Sequence, residues 1–243
     1  MAKVLLIGES WFKYTMEVKG FDSFSLGGYE VGTDFIAAAL STGGHEFHHL
    51  PAHLVDSQWP DLGSFDVVLV SDVGANTFLL GTATFDAGLP VPNRLVQLAS
   101  FVRAGGGFGM IGGYLSFSGI NARAHYAGTP IADVLPVVIS TNDDRVEVPE
   151  GINPRIESPA HAALGGAHDL GPLLGYNKVQ LRDGAQLIAT CEDDPLIALG
   201  RYGAGRSFAY TSDCGPHWAS TPYVKTASYS LLWNGLVTWA AGE

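Results

Sequence analysis

The stretch Lys3-Val4-Leu5-Leu6-Ile7-Gly8, followed at once by Glu9-Ser10-Trp11, decides the reading of the chain. An apolar run closed by glycine matches a strand buried on both faces, as in a parallel sheet, whereas a strand with one wet face would alternate. The pattern recurs downstream. His45 to Leu50 reads as a second strand, Asp66 to Ser71 as a third through Val67-Val68-Leu69-Val70, and Phe108 to Ile111 as a fourth. Two helices are predicted between them. In Tyr29 to Leu40, Val31, Phe35, Ala39 and Leu40 share one face, and Gly43-Gly44 ends the helix. Pro92 opens another, with Leu95, Leu98, Ala99 and Val102 at helical spacing, stopped by Gly105 to Gly107. Strand–helix–strand alternation predicts right-handed crossovers and an α/β fold with a mainly parallel central sheet flanked by helices, its switch point near Gly8 and Gly112.

The second half reads differently. Val137 to Val148 alternates like a strand at a sheet edge or in an excursion from the sheet. Gln186 to Thr190, Leu196 to Gly200 and Ser207 to Ser212 read as strands, with a hairpin turn at Gly203-Ala204-Gly205. A C-terminal helix from Val224 to Ala240 carries Leu232, Leu236 and Trp239. No linker or repeat divides the chain, so residues 1–243 read as a single domain.

Composition narrows the functional classes. With 243 residues, 47% hydrophobic and 15% charged, the chain can bury a core without metal or disulfides. A net charge of −11 with 13 dispersed Lys and Arg argues against nucleic acid as a partner. Only Cys191 and Cys214 are present, no signal-peptide pattern is seen, and no apolar run reaches the ~18 residues of a membrane span. A cytoplasmic protein with no membrane partner is expected. No cofactor is expected either: Gly203-Ala204-Gly205-Arg206 lacks the Lys-Ser/Thr of a phosphate loop, and Gly105 to Gly107 precedes a strand. His45, His48, His49 and His53 crowd the second strand, but alternation turns them to opposite faces, so no metal site is expected.

Ligands of open parallel sheets bind beyond the carboxyl ends of the strands. Four such ends carry polar groups here: Glu9-Ser10, Ser71-Asp72, Tyr114 to Ser116, and Ser212 to His217. Each tip alone is an ordinary helix cap or turn. Together they predict one cleft. The loop from Trp11 to Gly28, with Lys13, Lys19 and Asp22, reads as a lid over it or as an aromatic plug.

The chain resembles the class I glutamine amidotransferase-like superfamily. The resemblance rests on Gly8-Glu9-Ser10-Trp11, Lys19-Gly20-Phe21-Asp22-Ser23-Phe24, Gly112 to Ile120, Asp194-Pro195-Leu196-Ile197, Tyr202 to Arg206, and Ser212 to Trp218. Within the superfamily it is most similar to the branch of glutamine amidotransferase-like cytoplasmic proteins, and it is related to the trehalose-utilisation protein A-like branch. The resemblance implies a flavodoxin-like three-layer fold. It also locates a nucleophile elbow at Gly112 to Ser116, where Tyr114 stands in place of cysteine, and the usual His-Pro-Glu segment is replaced by Asp213 to His217. A phenol with a pKa near ~10 does not replace a thiolate, so glutamine hydrolysis by the usual route is not expected.

Two readings remain open. One is a hydrolase or transferase acting on a small polar metabolite. Cys214 or a water would be the nucleophile, with His217 as base oriented by Asp213, and Glu9, Ser10, Lys19, Asp72, Tyr114 and Ser116 would hold the substrate. The other is a non-catalytic small-molecule binding or assembly protein on the same fold. Cys214 is either a thiolate favoured by His217 or a small packed residue, with His217 lying against Trp218. A homo-oligomer is compatible with either reading.

Overall fold

The computed structural model describes all 243 residues. In chain order its elements are β1 (Lys3–Gly8), β2 (Ser10–Lys19), β3 (Asp22–Val31), α1 (Asp34–Thr42), β4 (Glu46–Leu50), β5 (Val67–Ser71), α2 (Ala75–Leu79), α3 (Thr82–Phe85), α4 (Arg94–Arg103), β6 (Gly107–Ile111), α5 (Pro130–Val134), β7 (Val137–Val138), β8 (Arg145–Ile152), β9 (Arg155–Ile156), β10 (Leu173–Asn177), β11 (Gln180–Leu181), β12 (Gln186–Cys191), β13 (Asp194–Tyr202), β14 (Gly205–Tyr210) and α6 (Ala227–Ala240).

Eight strands form one sheet in the order β4-β1-β5-β6-β14-β13-β12-β9. The first five pair in parallel. The last three continue the sheet antiparallel. From β1 the chain runs to β4 on one side and then to β5 on the other. The reversal therefore lies between β1 and β5, beside Gly8. No reversal occurs at Gly112, because β6 sits in simple succession between β5 and β14.

The continuous apolar runs are explained by burial on both faces. Val4 and Leu6 of β1 enter a core shared with Ile36, Leu40, Leu232 and Trp233 of α1 and α6. Leu5 and Ile7 enter a second core with Phe78, Leu95, Leu98 and Ile131 from α2, α4 and α5. Each fully buried aliphatic side chain contributes roughly 1.5–3 kcal/mol, so the two cores fix the sheet as a rigid platform for its carboxyl edge.

Several local expectations need correction. Tyr29 to Val31 are not helical: they pair with Phe12 to Ser10 in a hairpin, and α1 begins at Asp34. The stretch from Trp11 to Gly28 is neither lid nor plug. It is most of a two-stranded antiparallel arm, β2–β3, turning at Gly20-Phe21. Phe12, Tyr14, Met16 and Val18 repeat at period two, a strand signature. Val137 to Val148 splits into β7 and β8, which pair with β11 and β10 apart from the main sheet. Helix α4 is capped by Asn93 rather than opened by Pro92, since Asn93 Oδ1 accepts from Leu95 N and Val96 N.

The tightest constraint is at the tip of β1. Gly8 has φ +104, and a Cβ there would stand 2.0 Å from the Ser71 carbonyl oxygen. Gly44 also has positive φ (+82) but meets no atom within 4 Å. Gly8→Ala is expected to lower stability by more than about 3 kcal/mol, against roughly 1–2 kcal/mol for Gly44→Ala. Denaturant midpoints of the two variants check this, and equal losses would show that the β1–β5 approach is not tight.

Candidate functional site

The strand tips converge as the parallel sheet requires. Glu9, Trp11, Lys13, Gly32, Asp72, Tyr114, Asp213, Gly215, Pro216 and His217 line a cleft of about 380 Å³ at the carboxyl edge of the sheet. A larger groove of about 730 Å³ lies at the opposite edge, between Trp59, Asp66, Phe101 and Ala241. Asp61 and Asp66 are the only acidic side chains in its lining, and no imidazole or thiol accompanies them. The smaller cleft is therefore the candidate site.

Glu9 follows β1 with φ +47, a left-handed conformation that turns its carboxyl inward. Its Oε2 accepts from Ser71 Oγ at 2.6 Å. A Cβ on Gly32 would come within 2.5 Å of Glu9 Oε1, so the chain after β3 passes directly over the carboxyl. Burial, then the neighbouring Asp213 and Asp72, push the Glu9 carboxyl well above the usual range and so favour its protonated form.

Asp72 follows β5, also at positive φ (+43). Its Oδ1 accepts from Leu115 N at 2.7 Å, and its own N–H donates to Ser116 Oγ at 3.1 Å. Burial and the repulsion of Asp213 raise it to about 6 despite the Leu115 bond.

Asp213 and His217 form the third corner. Asp213 Oδ1 accepts from Gly215 N at 3.0 Å, and Oδ2 lies 3.3 Å from His217 Nδ1. The hydrogen bond to Asp213 raises the imidazole above its ordinary value against an opposing burial effect. His217 stacks on Trp218, with centroids 5.3 Å apart, and meets the Tyr114 ring edge-on at 4.5 Å.

Cys214 lies in the layer beneath. It is fully buried, its Sγ is 3.8 Å from Ser71 Oγ, and its carbonyl accepts from the Tyr229 hydroxyl. Burial and then Glu9 and Asp213 push its thiol well up, so no thiolate forms near neutral pH. Because His217 pairs with Asp213 and stacks on Trp218, its charge is spent away from the sulfur. Cys214 matches the packed alternative. Glu9, Asp213 and Cys214 offer ligand atoms within 4.8 Å of one another, and burial favours the protonated forms of Glu9 and Cys214, while Ser71 Oγ donates to Glu9 Oε2. The four histidines of β4 and its surroundings do not converge. His45 accepts from Ala2 N, His48 pairs with Glu46, His49 bonds the Gly8 carbonyl, and His53 packs on Phe12 and Tyr29.

Of the sequence-predicted residues, Glu9, Asp72, Tyr114, Asp213 and His217 meet in the cleft. Ser10 and Ser116 do not line it. Ser10 Oγ accepts from Ala52 N, and Ser116 Oγ braces Asp72. Lys19 stands near the tip of the arm, paired with Glu17 at 2.9 Å. It is six residues beyond Lys13, roughly 20 Å farther along a strand. Lys13, Trp11 and Gly32 are the arm-base residues that line the cleft; Gly32 has no sequence signal of its own, because it falls in the stretch from Tyr29 to Leu40 that reads as a helix.

The turn after β6 also differs from expectation. Tyr114 follows Gly112-Gly113, but no helix begins there, and the next one is α5. Instead Asn177 bonds both Gly113 N and Gly113 O, and Asp144 accepts from Ser118 N and Gly119 N. This brace, and not a helix N-terminus, holds the turn after β6. Neither Asn177 nor Asp144 was foreseeable, because each acts across more than twenty residues.

Residues 3–241 match a family described as "Putative glutamine amidotransferase". Two solved structures of cytoplasmic proteins from Salmonella typhimurium are similar throughout. One is 41% identical with TM-score 0.94, covering 98% of each chain. The other, from strain LT2, is 38% identical with TM-score 0.93, covering 98% of this chain and 99% of that one. A ThuA-like protein from Parabacteroides merdae shares the fold at 11% identity and TM-score 0.53, covering 99% and 90%. No curated protein matches. The chain belongs to the glutamine amidotransferase-like family.

Two outcomes are expected from this geometry. Neither Cys214 nor Cys191, whose thiol burial and Asp194 push up to about 12, is alkylated by iodoacetamide in the folded protein. Mass-spectrometric mapping checks this, and rapid labelling of Cys214 would restore it as a nucleophile. Because Asp72 takes a proton up to about pH 6 when folded, ionising it costs stability above that pH. Asp72→Asn should raise Tm at alkaline pH and lose that advantage as pH falls below about 6.

Proposed function

We propose that this member of the family acts on a small polar metabolite by adding water across a carbonyl or C–N bond, without a covalent thiolate intermediate. The observation that carries the reading is the pairing of two groups with complementary titration in one cleft. Asp72 loses its proton near pH 6, and His217 keeps its proton above its ordinary value. Above about pH 6 Asp72 is ionised and can act as a base, while Asp213 favours the protonated imidazole and so lets His217 act as an acid, the division of labour that hydrolysis needs. Asp72 takes a proton from water as its oxygen attacks the substrate carbon. The bond to the leaving nitrogen or oxygen breaks, and His217 Nε2 gives that atom a proton. Asp213, through Nδ1, holds the imidazole in the orientation that presents Nε2 to the cleft. Protonated Glu9 serves as a hydrogen-bond donor to a substrate oxygen.

Tyr114 standing where an amidotransferase carries its cysteine supports the absence of glutaminase activity. The cleft volume suits a ligand no larger than a sugar or an amino-acid amide. The acidic lining favours a neutral or cationic one. The parallel strands in the order β4-β1-β5-β6-β14 support a flavodoxin-like arrangement in a single domain. The cytoplasmic relatives, and the lack of any helix long and apolar enough to cross a membrane, support a cytoplasmic location.

A second reading, binding without catalysis, is favoured by the Tyr114 ring, which packs against His217 and narrows the approach to it.

A thermal-shift screen of amides, sugars and keto-sugars is expected to find a compound that raises Tm, since binding to the native state alone stabilises it. Hydrolysis of that compound should fall on the acid side through about pH 6, and His217→Gln should lower kcat by about 100-fold or more with little change in KM. A ligand bound but not turned over would select the binding reading. Ammonia release from glutamine at an enzymatic rate would overturn both.

A further inference from the structure

We propose that the β2–β3 arm is a dimerisation element, which lays its uncharged face against the same face of a second copy of this chain. The cross-strand register divides the arm into two faces. Ser10, Phe12, Tyr14, Met16 and Val18 of β2 share one with Val31, Tyr29, Gly27, Ser25 and Ser23 of β3. That face carries no charge. The other holds Lys13, Glu17, Lys19, Asp22 and Glu30, which include every charged residue of the two strands. Four of its five charges pair, Lys13 with Glu30 and Lys19 with Glu17, and Trp11, Phe24 and Leu26 share that face with them. The charges of the arm are confined to one face.

The outer part of the uncharged face is solvent-exposed. Tyr14 is 79% exposed, Met16 69% and Val18 68%, while at the base Ser10 bonds Ala52 N and Phe12 and Tyr29 pack on His53. A two-stranded ribbon is marginal in water unless its apolar face packs on something. Ten residues per strand reach roughly 30 Å from the sheet, and nothing else in the chain covers the outer part.

Shape and charge select a second copy as the occupant. The bulky row, Phe12 to Val18, lies on β2, and the low row, Ser23, Ser25 and Gly27, lies beside it on β3. A twofold axis sets each bulky row over the low row of the partner, a self-complementary arrangement. With its backbone, the face offers on the order of 700 Å² per copy, near the roughly 800 Å² per partner of a stable interface. Two chains of net charge −11 repel over most of their surfaces, and this face brings no charge into contact. The same charge, and the lack of Lys or Arg on the face, disfavour an anionic membrane as the occupant.

Sedimentation velocity on the full chain tests the proposal. At micromolar concentration it should sediment as a dimer. Tyr14→Lys and Met16→Glu, each placing a charge on the uncharged face, should raise the dissociation constant by about 100-fold or more. Thr15→Lys, on the charged face, should leave it unchanged. Circular dichroism melts that match the parent for all three separate loss of pairing from loss of fold. A monomeric parent overturns the proposal. So does a dimer that persists in both charge variants, because its interface then lies elsewhere. Binding to vesicles of phosphatidylcholine by a monomeric parent would reassign the face to lipid and also overturn it.

Discussion

Three carboxyl groups meet at one edge of the sheet, where burial and mutual repulsion oppose the ionisation of Glu9 and Asp72 beside Asp213. Glu9, Asp72 and Asp213 come from three different strand ends, so the topology forces them together and burial strengthens their repulsion. The neighbouring features answer this constraint. Burial favours the neutral form of Glu9, which accepts from Ser71. Asp213 is matched by His217, whose protonated imidazole it favours. The thiol of Cys214, caught between Glu9 and Asp213, is denied its ionised form. The two left-handed residues, Glu9 and Asp72, are where the backbone bends so that each carboxyl enters the cleft rather than solvent.

The arm is joined to this chemistry at its base. Trp11 and Lys13 lie on its charged face and also line the cleft, while Phe12 between them points to the uncharged face and His53. Strand alternation therefore makes one short segment serve two surfaces. Trp11 Nε1 and Lys13 Nζ both bond Glu30 Oε2, which stiffens the segment without drawing Lys13 out of the cleft. A partner held by the outer arm would fix the position of the one lysine that faces three acids. Occupation of the arm and occupation of the cleft are then linked through a few residues.

How much of this was legible depended on how local each signal was. The buried strands were readable because burial on both faces leaves a continuous apolar run in Lys3 to Gly8 and Asp66 to Ser71. The cleft acids were readable because parallel sheets place strand ends together, whatever the order of strands. The arm was misread even though Phe12, Tyr14, Met16 and Val18 alternate, because β3 answers with Ser23, Ser25, Gly27 and Gly28, residues that read as loop. Its small residues are explained by the register, which no single-strand pattern reveals. Ser10 and Ser116 were assigned to substrate for lying beside Glu9 and Tyr114, yet each oxygen is taken by a backbone N–H from another segment. The brace of Asn177 and Asp144 likewise has no sequence-local trace.

The same acid cluster has an energetic consequence for the whole chain. Asp72 and Glu9 bind protons in the folded state at pH values where the unfolded chain has released them, so stability falls as pH rises through that window, up to about 6 for Asp72. His217 acts in the same direction at higher pH: its stabilising contribution is complete below the ordinary imidazole value and is lost as pH rises through its raised one. Asp143 acts oppositely, since Arg145 holds its carboxyl below the usual range and that contribution is lost only in strong acid. Exposed pairs such as Lys13–Glu30 contribute little. The cleft is thus a site of stored repulsion, carried by two cores that bury the sheet on both faces. A ligand that donates hydrogen bonds or positive charge to these carboxyls relieves that repulsion as it binds. Binding and stability are then coupled most strongly on the alkaline side, where the acids are ionised and the imidazole has begun to lose its proton.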